Sequence, residues 1–133
     1  MENIYLDNAS TTQIRDEVII KMQEALSDKY GNPSSTHAFG RSAKTAVETA
    51  RKTIAKHLNA QPSEIIFTSG GTEADNMILR SAVRDLGVKT IITSRIEHHA
   101  ILHTSEDLVK EYKITIDYVD LDKNGNPKLA HLE

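Results

Sequence analysis

Strand and helix patterns alternate between residues 64 and 119, and this alternation limits the possible folds more than any other feature of the sequence. Short apolar runs at 64–68, 89–94 and 114–119 are typical of buried strands, and helical periodicity covers 73–86 and 100–112 between them. Strands separated by helices in this way pair in parallel with right-handed crossovers. The pattern predicts an α/β fold with a parallel-type sheet and flanking helices.

Two further helices are predicted upstream, one from Ile14 to Leu26 and one from Ala43 to Leu58. The polar segments before them, at 8–12 and 31–40, predict loops because Ser, Thr and Asn side chains compete for local backbone groups. Downstream, 122–127 predicts a turn and 129–133 the start of another helix. We expect residues 1–14 to lead into a domain at 15–133 that is incomplete, because its sheet has an open edge.

Composition narrows the possible partners. Nineteen acidic and sixteen basic residues give a formal charge of -3, and no basic cluster is present, so we expect neither nucleic acid nor membrane surfaces as partners. Without a signal peptide or a long apolar stretch, the sequence predicts a cytoplasmic protein. The sequence contains no cysteine, which excludes disulfides, thiolate metal sites and cysteine nucleophiles within this chain.

A glycine pair lies where a predicted strand meets a predicted helix, in the sequence FTSGGTEADN at 67–76. The first N–H groups of a helix lack intrahelical partners and lie at the positive end of the macrodipole, so this turn is a candidate phosphate site with Thr72 adding a hydroxyl. The alternative is a plain turn in which Gly70 and Gly71 supply positive φ and Thr72 caps the helix. The pattern is neither a dinucleotide fingerprint nor a Walker A loop.

Histidines follow the strand predicted to end at Ser94, in the sequence RIEHHA at 95–100. Ligands of open α/β sheets bind at this end of the strands, and a histidine there can stack on a flat ligand or move a proton. The alternative is a solvated or helix-capping pair, which we favour for His99. A metal site on His99, His103 and Glu106 would fit helical spacing, but we expect no metal there. His37 is an active-site or a plain loop residue.

Four motifs together resemble those of cysteine desulfurases, within the class-V group of pyridoxal-phosphate (PLP) enzymes. They are YLDNASTT at 5–12, YGNPSS at 30–35, TSGGTE at 68–73 and TSRIEH at 93–98. The resemblance covers essentially the whole chain. It implies the N-terminal part of the large domain of the aspartate aminotransferase-like fold.

The resemblance also implies roles for particular residues. Gly71 and Thr72 would hold the PLP phosphate, and His98 would stack on the pyridine ring and assist proton transfers. The substrate entrance would be lined by residues of two loops, namely Asn8, Ala9, Ser10, Thr11, Asn32 and His37. In such enzymes PLP acts as an electron sink for L-cysteine, and a protein cysteine takes the substrate sulfur as a persulfide, which leaves alanine.

The departures from the family pattern are as informative as the matches. The Schiff-base lysine in its Ser-His-Lys setting, the pyridine-nitrogen aspartate, the substrate arginine and the persulfide cysteine are not found in this sequence. A full-length member is about three times as long, so we expect an N-terminal fragment that is inactive alone. The resemblance implies a homodimeric enzyme that passes sulfur to an acceptor or scaffold protein for iron–sulfur clusters. The alternatives are a selenocysteine lyase, another class-V aminotransferase or a non-catalytic binding domain.

Overall fold

The computed structural model describes residues 4–131 and divides the chain into two compact units, Met1–Ile66 and Phe67–Glu133. The helices and strands, in chain order, are α1 Asp16–Asp28, α2 Ala38–His57, α3 Gly71–Arg84, β1 Thr90–Thr93, α4 His99–Tyr112 and β2 Thr115–Tyr118. Within the described residues, none of the helices has the length and apolar character needed to cross a membrane. The predicted N-terminal segment and the predicted last helix extend into 1–3 and 132–133, which lie outside the described residues.

The second unit has the predicted α/β arrangement. Strands β1 and β2 pair in parallel, with Ile91 opposite Ile116, and α4 makes the crossover between them. Helix α3 packs against α4. The core is a cluster of buried aliphatic side chains from both helices and the sheet, namely Val83, Ile91, Leu108 and Ile114. The predicted fold class, an α/β fold with a parallel sheet and flanking helices, is confirmed.

The strand predicted at 64–68 is wrong for the described residues. Pro62–Glu64 form a 3-10 turn, in which the Glu64 carboxylate accepts the Gln61 N–H at 2.6 Å. Residues 65–68 follow outside any strand, since the sheet of the described residues consists of β1 and β2. Apolar β-branched residues favour extended backbone, but a strand also requires a neighbour that takes its ladder hydrogen bonds.

The first unit contains α1 and α2. Helix α1 lies where its periodicity predicts and buries none of its residues. Helix α2 begins at Ala38, earlier than predicted, because His37 serves as its N-cap through Nδ1, which accepts the Gly40 N–H at 3.4 Å. The predicted loop at 31–40 therefore ends at His37.

The predicted helix stop at Gly87 and the predicted turn at 122–127 both contain a glycine with left-handed backbone. Gly87, with φ of 71°, follows the end of α3, and Gly125, with φ of 85°, lies in the turn at 122–127. In that turn Asp122 Oδ1 accepts the N–H groups of Asn124 and Asn126 at 2.8 and 2.9 Å. These bonds hold the pKa of Asp122 below its usual range, the bond from Asn126 contributing most. The helix predicted from Leu129 is a single 3-10 turn, Leu129–His131.

Candidate functional site

The glycine pair lies at the start of α3, as predicted. Gly70 is the N-cap residue, and Gly71, Thr72 and Glu73 are the first three helical residues. Their N–H groups therefore have no intrahelical acceptor and lie at the positive end of the helix macrodipole. All four residues are exposed. The arrangement suits an anion with several oxygen acceptors.

The alternative for this turn, with positive φ at both glycines and Thr72 as the cap, is wrong. Gly70 has φ of 169°, which is ordinary extended backbone, and Gly71 is helical, so neither glycine supplies a left-handed conformation. A Cβ at either position would meet no atom within 4 Å. Thr72 is not the cap, because the N-cap is Gly70. Glycine is a favoured N-cap residue, which accounts for Gly70. At Gly71 the absence of a side chain would allow an outside group to approach the backbone closely.

The Glu73 side chain, in the first turn of α3, stabilises the loop just before the helix by hydrogen bonds to Ser69. Its Oε2 accepts the Ser69 N–H at 2.6 Å and the Ser69 hydroxyl at 2.7 Å. The backbone bond and then the hydroxyl bond hold the pKa of Glu73 below its ordinary value. The carboxylate thus stays ionised and places a negative charge beside the helix N-terminus.

Two polar side chains connect α3 to α4 just below this turn. Asn76 Nδ2 donates to the Thr72 carbonyl oxygen at 2.9 Å, and Thr104 Oγ1 donates to Asn76 Oδ1 at 2.7 Å. Thr104 is only 4% exposed. Neither residue has a role among those predicted from the sequence. A signal for Thr104 was present, since it lies between Ile101 and Leu108 on the apolar face of the predicted helix.

His98 is the N-cap residue of α4. Its Nδ1 accepts the Ala100 N–H at 3.1 Å, so in this arrangement the neutral ring carries its proton on Nε2. The capping alternative therefore applies to His98 rather than to His99. His99 is exposed, with its ring 5.1 Å from that of His103. Among residues 4–131 no three His, Asp or Glu side chains are placed to hold a metal ion, and the predicted lack of a metal stays a prediction.

A cleft of about 260 Å³ lies at the carboxyl ends of β1 and β2. Its lining includes Arg95, Tyr118 and Asp120, and the Arg95 guanidinium stacks 4.2 Å from the centroid of the Tyr118 ring. Ligands of open α/β sheets bind at this end of the strands. The chain segment that leads from β1 through Arg95 to His98 therefore lies at the expected edge of the sheet.

The residues assigned to a substrate entrance lie in two loops of the first unit. Residues 8–10 form an exposed turn, in which the N–H groups of Ser10 and Thr11 donate to the Asp7 carbonyl at 3.1 and 3.4 Å. Asn8 and Ala9 are exposed beside them. The second loop is closely packed on the start of α2. A Cβ at Gly40 would lie 2.4 Å from the Ser35 carbonyl oxygen.

Asn32 and His37 organise this second loop. The Asn32 carbonyl accepts the Ser35 N–H at 3.0 Å, and its side-chain oxygen accepts the Ser34 N–H at 2.9 Å. His37 caps α2 through Nδ1. Both residues thus have structural tasks, and their assignment to a substrate entrance stays a prediction.

The sequence of the chain matches one protein family and several curated relatives. The sequence model of the family described as aminotransferase class-V matches residues 4–133. The cysteine desulfurase IscS of Dictyoglomus turgidum is 48% identical over 124 residues, which are 92% of this chain and 31% of the relative. The chain spans about a third of the length of the curated relatives it matches.

Solved structures show the same likeness. A NifS-like protein superposes with a TM-score of 0.85 at 40% identity, over 94% of this chain and 35% of the other. A structure described as SspA in complex with cysteine gives a TM-score of 0.76 at 32% identity, over 86% of this chain and 33% of the other. The similarity therefore includes the backbone as well as the sequence.

Proposed function

The chain belongs to the class-V aminotransferase family, and we propose that it forms the phosphate-binding part of a PLP-dependent cysteine desulfurase. The observation that carries the proposal is the glycine pair at the start of α3. Gly71 has no conformational or packing reason to be glycine, and backbone donors lie beside it. The likeness to desulfurases, and to a structure described with bound cysteine, supports L-cysteine as the substrate.

The residues present fit the phosphate group of PLP. Gly71, Thr72 and Glu73 offer three backbone N–H groups, Thr72 adds a hydroxyl, and the open space at the glycines admits phosphate oxygens. When bound, PLP supplies an electron sink for the substrate carbanion. This part of the chain would anchor the cofactor at its phosphate.

We assign ring stacking and proton transfer to His98. Because Nδ1 accepts the Ala100 N–H, the Nε2–H of the neutral ring can donate a hydrogen bond outward while the cap is in place. Uptake of a proton by the ring would occur at Nδ1 and would replace the cap bond, so proton transfer requires His98 to release the Ala100 N–H. Since the sequence contains no cysteine, the persulfide would form on a cysteine outside this chain. We further propose that the complete enzyme is a homodimer that passes sulfur to an acceptor or scaffold protein.

The test is a titration of the isotope-labelled chain with pyridoxine 5′-phosphate, which lacks the aldehyde and so forms no imines with surface lysines. We expect shifts of the Gly71, Thr72 and Glu73 amide signals. Pyridoxine, which has no phosphate, should shift them far less. Equal effects of the two ligands on these amides would contradict a phosphate site.

A substitution at Thr72 sharpens this test. A hydrogen bond to a charged group contributes about 1.5–3 kcal/mol, so Thr72→Ala should weaken binding of the phosphorylated ligand roughly ten- to a hundredfold. Thr90→Ala removes an exposed hydroxyl from the same unit, one that hydrogen-bonds Thr115, and serves as the control. An unchanged dissociation constant for Thr72→Ala would remove the hydroxyl from the site.

A further inference from the structure

The pair Asn76 and Thr104 has no role in the chemistry proposed above. Thr104 is almost fully buried between α3 and α4, and its hydroxyl donates to Asn76 Oδ1 at 2.7 Å. The Asn76 amide group in turn donates to the Thr72 carbonyl oxygen at 2.9 Å. The two bonds form a continuous path from the middle of α4 to the first turn of α3.

The path ends on a peptide group that faces the proposed phosphate. A peptide unit is planar, so the Thr72 carbonyl and the Glu73 N–H belong to one rigid plane and point in opposite directions. The Thr72 carbonyl already accepts the Asn76 backbone N–H of the helix, and the Asn76 side chain adds a second donor. Holding this carbonyl therefore fixes the direction of the Glu73 N–H.

The same bonds also affect the strength of that donor. A hydrogen bond to a carbonyl polarises the peptide group, and hydrogen bonds in a chain strengthen one another. Because the Thr104–Asn76 bond is partly buried and the Asn76–Thr72 bond is exposed, we expect this effect to be modest. The path further connects α3 to α4, the helix that His98 caps. A change in Thr104 would thus act on the anion-binding turn without touching the anion.

We propose that Thr104 and Asn76 are positioning residues that aim the Glu73 N–H at the cofactor phosphate. The proposal rests on the phosphate site at the start of α3. It assigns no contact with the ligand to either residue. Their effect is carried by the Thr72–Glu73 peptide group.

The experiment uses the whole chain and inorganic phosphate, followed by the amide signals of Gly71, Thr72 and Glu73. Thr104→Val removes the hydroxyl at nearly constant shape and should weaken phosphate binding about two- to fivefold, the effect of one modest hydrogen bond. Thr104→Ser keeps the hydroxyl and should restore binding. The Glu73 amide signal should move in Thr104→Val even before phosphate is added.

The matched control is Ser105→Ala. Ser105 is the next residue of α4, is fully buried, and its hydroxyl has no hydrogen-bond partner within the described residues. This variant should leave phosphate binding unchanged. If Thr104→Val does not fold, Asn76→Leu can be used instead. It removes the side-chain bonds of Asn76 to Thr104 and to the Thr72 carbonyl, and should weaken phosphate binding to a similar extent.

The outcomes separate the two proposals. If wild type binds phosphate at these amides and Thr104→Val binds equally well, the positioning role is wrong and the site stands. If Thr104→Ser and Ser105→Ala weaken binding as much as Thr104→Val, the effect is general loss of packing and the positioning role is again wrong. If wild-type amides do not respond to phosphate, the phosphate site itself is refuted, and the positioning role falls with it.

Discussion

At the scale of single residues, two of the histidines singled out in the sequence act as helix N-caps. His37 accepts the Gly40 N–H and His98 accepts the Ala100 N–H, each through Nδ1. A cap fixes the ring and selects the tautomer, which prepares Nε2 for other contacts. A structural task and a chemical task can therefore coexist on His98, and a substitution must be chosen to separate them.

We predict that His98→Ala and His98→Asn differ in stability but agree in binding. Loss of the cap in His98→Ala should lower the free energy of unfolding by about 0.5–1 kcal/mol, whereas Asn is itself a good N-cap. Both variants lack the imidazole and should weaken binding of pyridoxine 5′-phosphate. Urea unfolding and amide titration measure the two effects, and His99→Ala is the control. If His98→Asn restored binding as well, His98 would be a cap only.

Glu73 gives a pH-dependent prediction. Its folded-state pKa is lowered by the bonds from Ser69, so its contribution to stability is complete above the ordinary glutamate pKa and is lost as the pH falls through the lowered value. Glu73→Gln keeps an oxygen acceptor but does not titrate. The free energy of unfolding of this variant should therefore fall less on acidification than that of wild type. Unfolding curves between neutral pH and pH values below the ordinary glutamate range measure it.

The control for Glu73→Gln is Glu106→Gln, which removes one exposed negative charge from the same unit. Phosphate binding provides a second measure. Because the Glu73 charge lies beside the helix N-terminus, its removal should strengthen phosphate binding about two- to fivefold at low salt. If the free energy of unfolding falls with pH in the same way in Glu73→Gln and in wild type, the Glu73 carboxylate does not stabilise the turn.

At the scale of elements, the glycines at the starts of α2 and α3 differ in whether the fold leaves room for a side chain. A Cβ at Gly40 would lie 2.4 Å from the Ser35 carbonyl oxygen and 2.7 Å from that of Asn32, so the loop before α2 needs this glycine for its packing. A Cβ at Gly71 meets open space, and the residue is helical. Nothing in the described residues requires glycine at Gly71, which agrees with the proposed approach of an anion to this residue.

The matched pair Gly40→Ala and Gly71→Ala tests this contrast. Gly40→Ala should lower the free energy of unfolding by about 1–3 kcal/mol, because backbone atoms must move to admit the methyl group. Gly71→Ala should raise it by about 0.5 kcal/mol, because alanine loses less conformational entropy in a helix. Gly71→Ala should nevertheless weaken phosphate binding. Full phosphate affinity in Gly71→Ala would contradict close approach of the anion to this residue.

At the scale of the whole molecule, the chain carries the proposed phosphate site and six histidines, among them His98, but no cysteine. Mixed with PLP and L-cysteine, it should therefore form no protein persulfide and release no sulfide above a protein-free control. Intact mass and sulfide assays measure this. We also expect no stable imine at one lysine. Stoichiometric borohydride-reducible labelling of a single lysine would contradict the prediction that this chain does not provide the Schiff-base lysine.

Local signals in the sequence are enough to predict most of the element order in the second unit and the position of the glycine pair at the start of α3. Apolar spacing places α3, α4, β1 and β2, because the side chains that define each period lie within a few turns of one another. A glycine pair at a helix start exposes backbone donors wherever the helix lies. The family motifs occupy the same local stretches, and together they indicate the enzyme class.

Features that depend on distant partners emerge only when the chain is folded. Residues 65–68 have strand-like side chains, but ladder bonds come from another segment, and no strand of the described residues provides them. The choice of His98 rather than His99 as the cap follows from where α4 begins. The bond between Thr104 and Asn76 joins residues 28 positions apart, and local periodicity carries no information about such a pair.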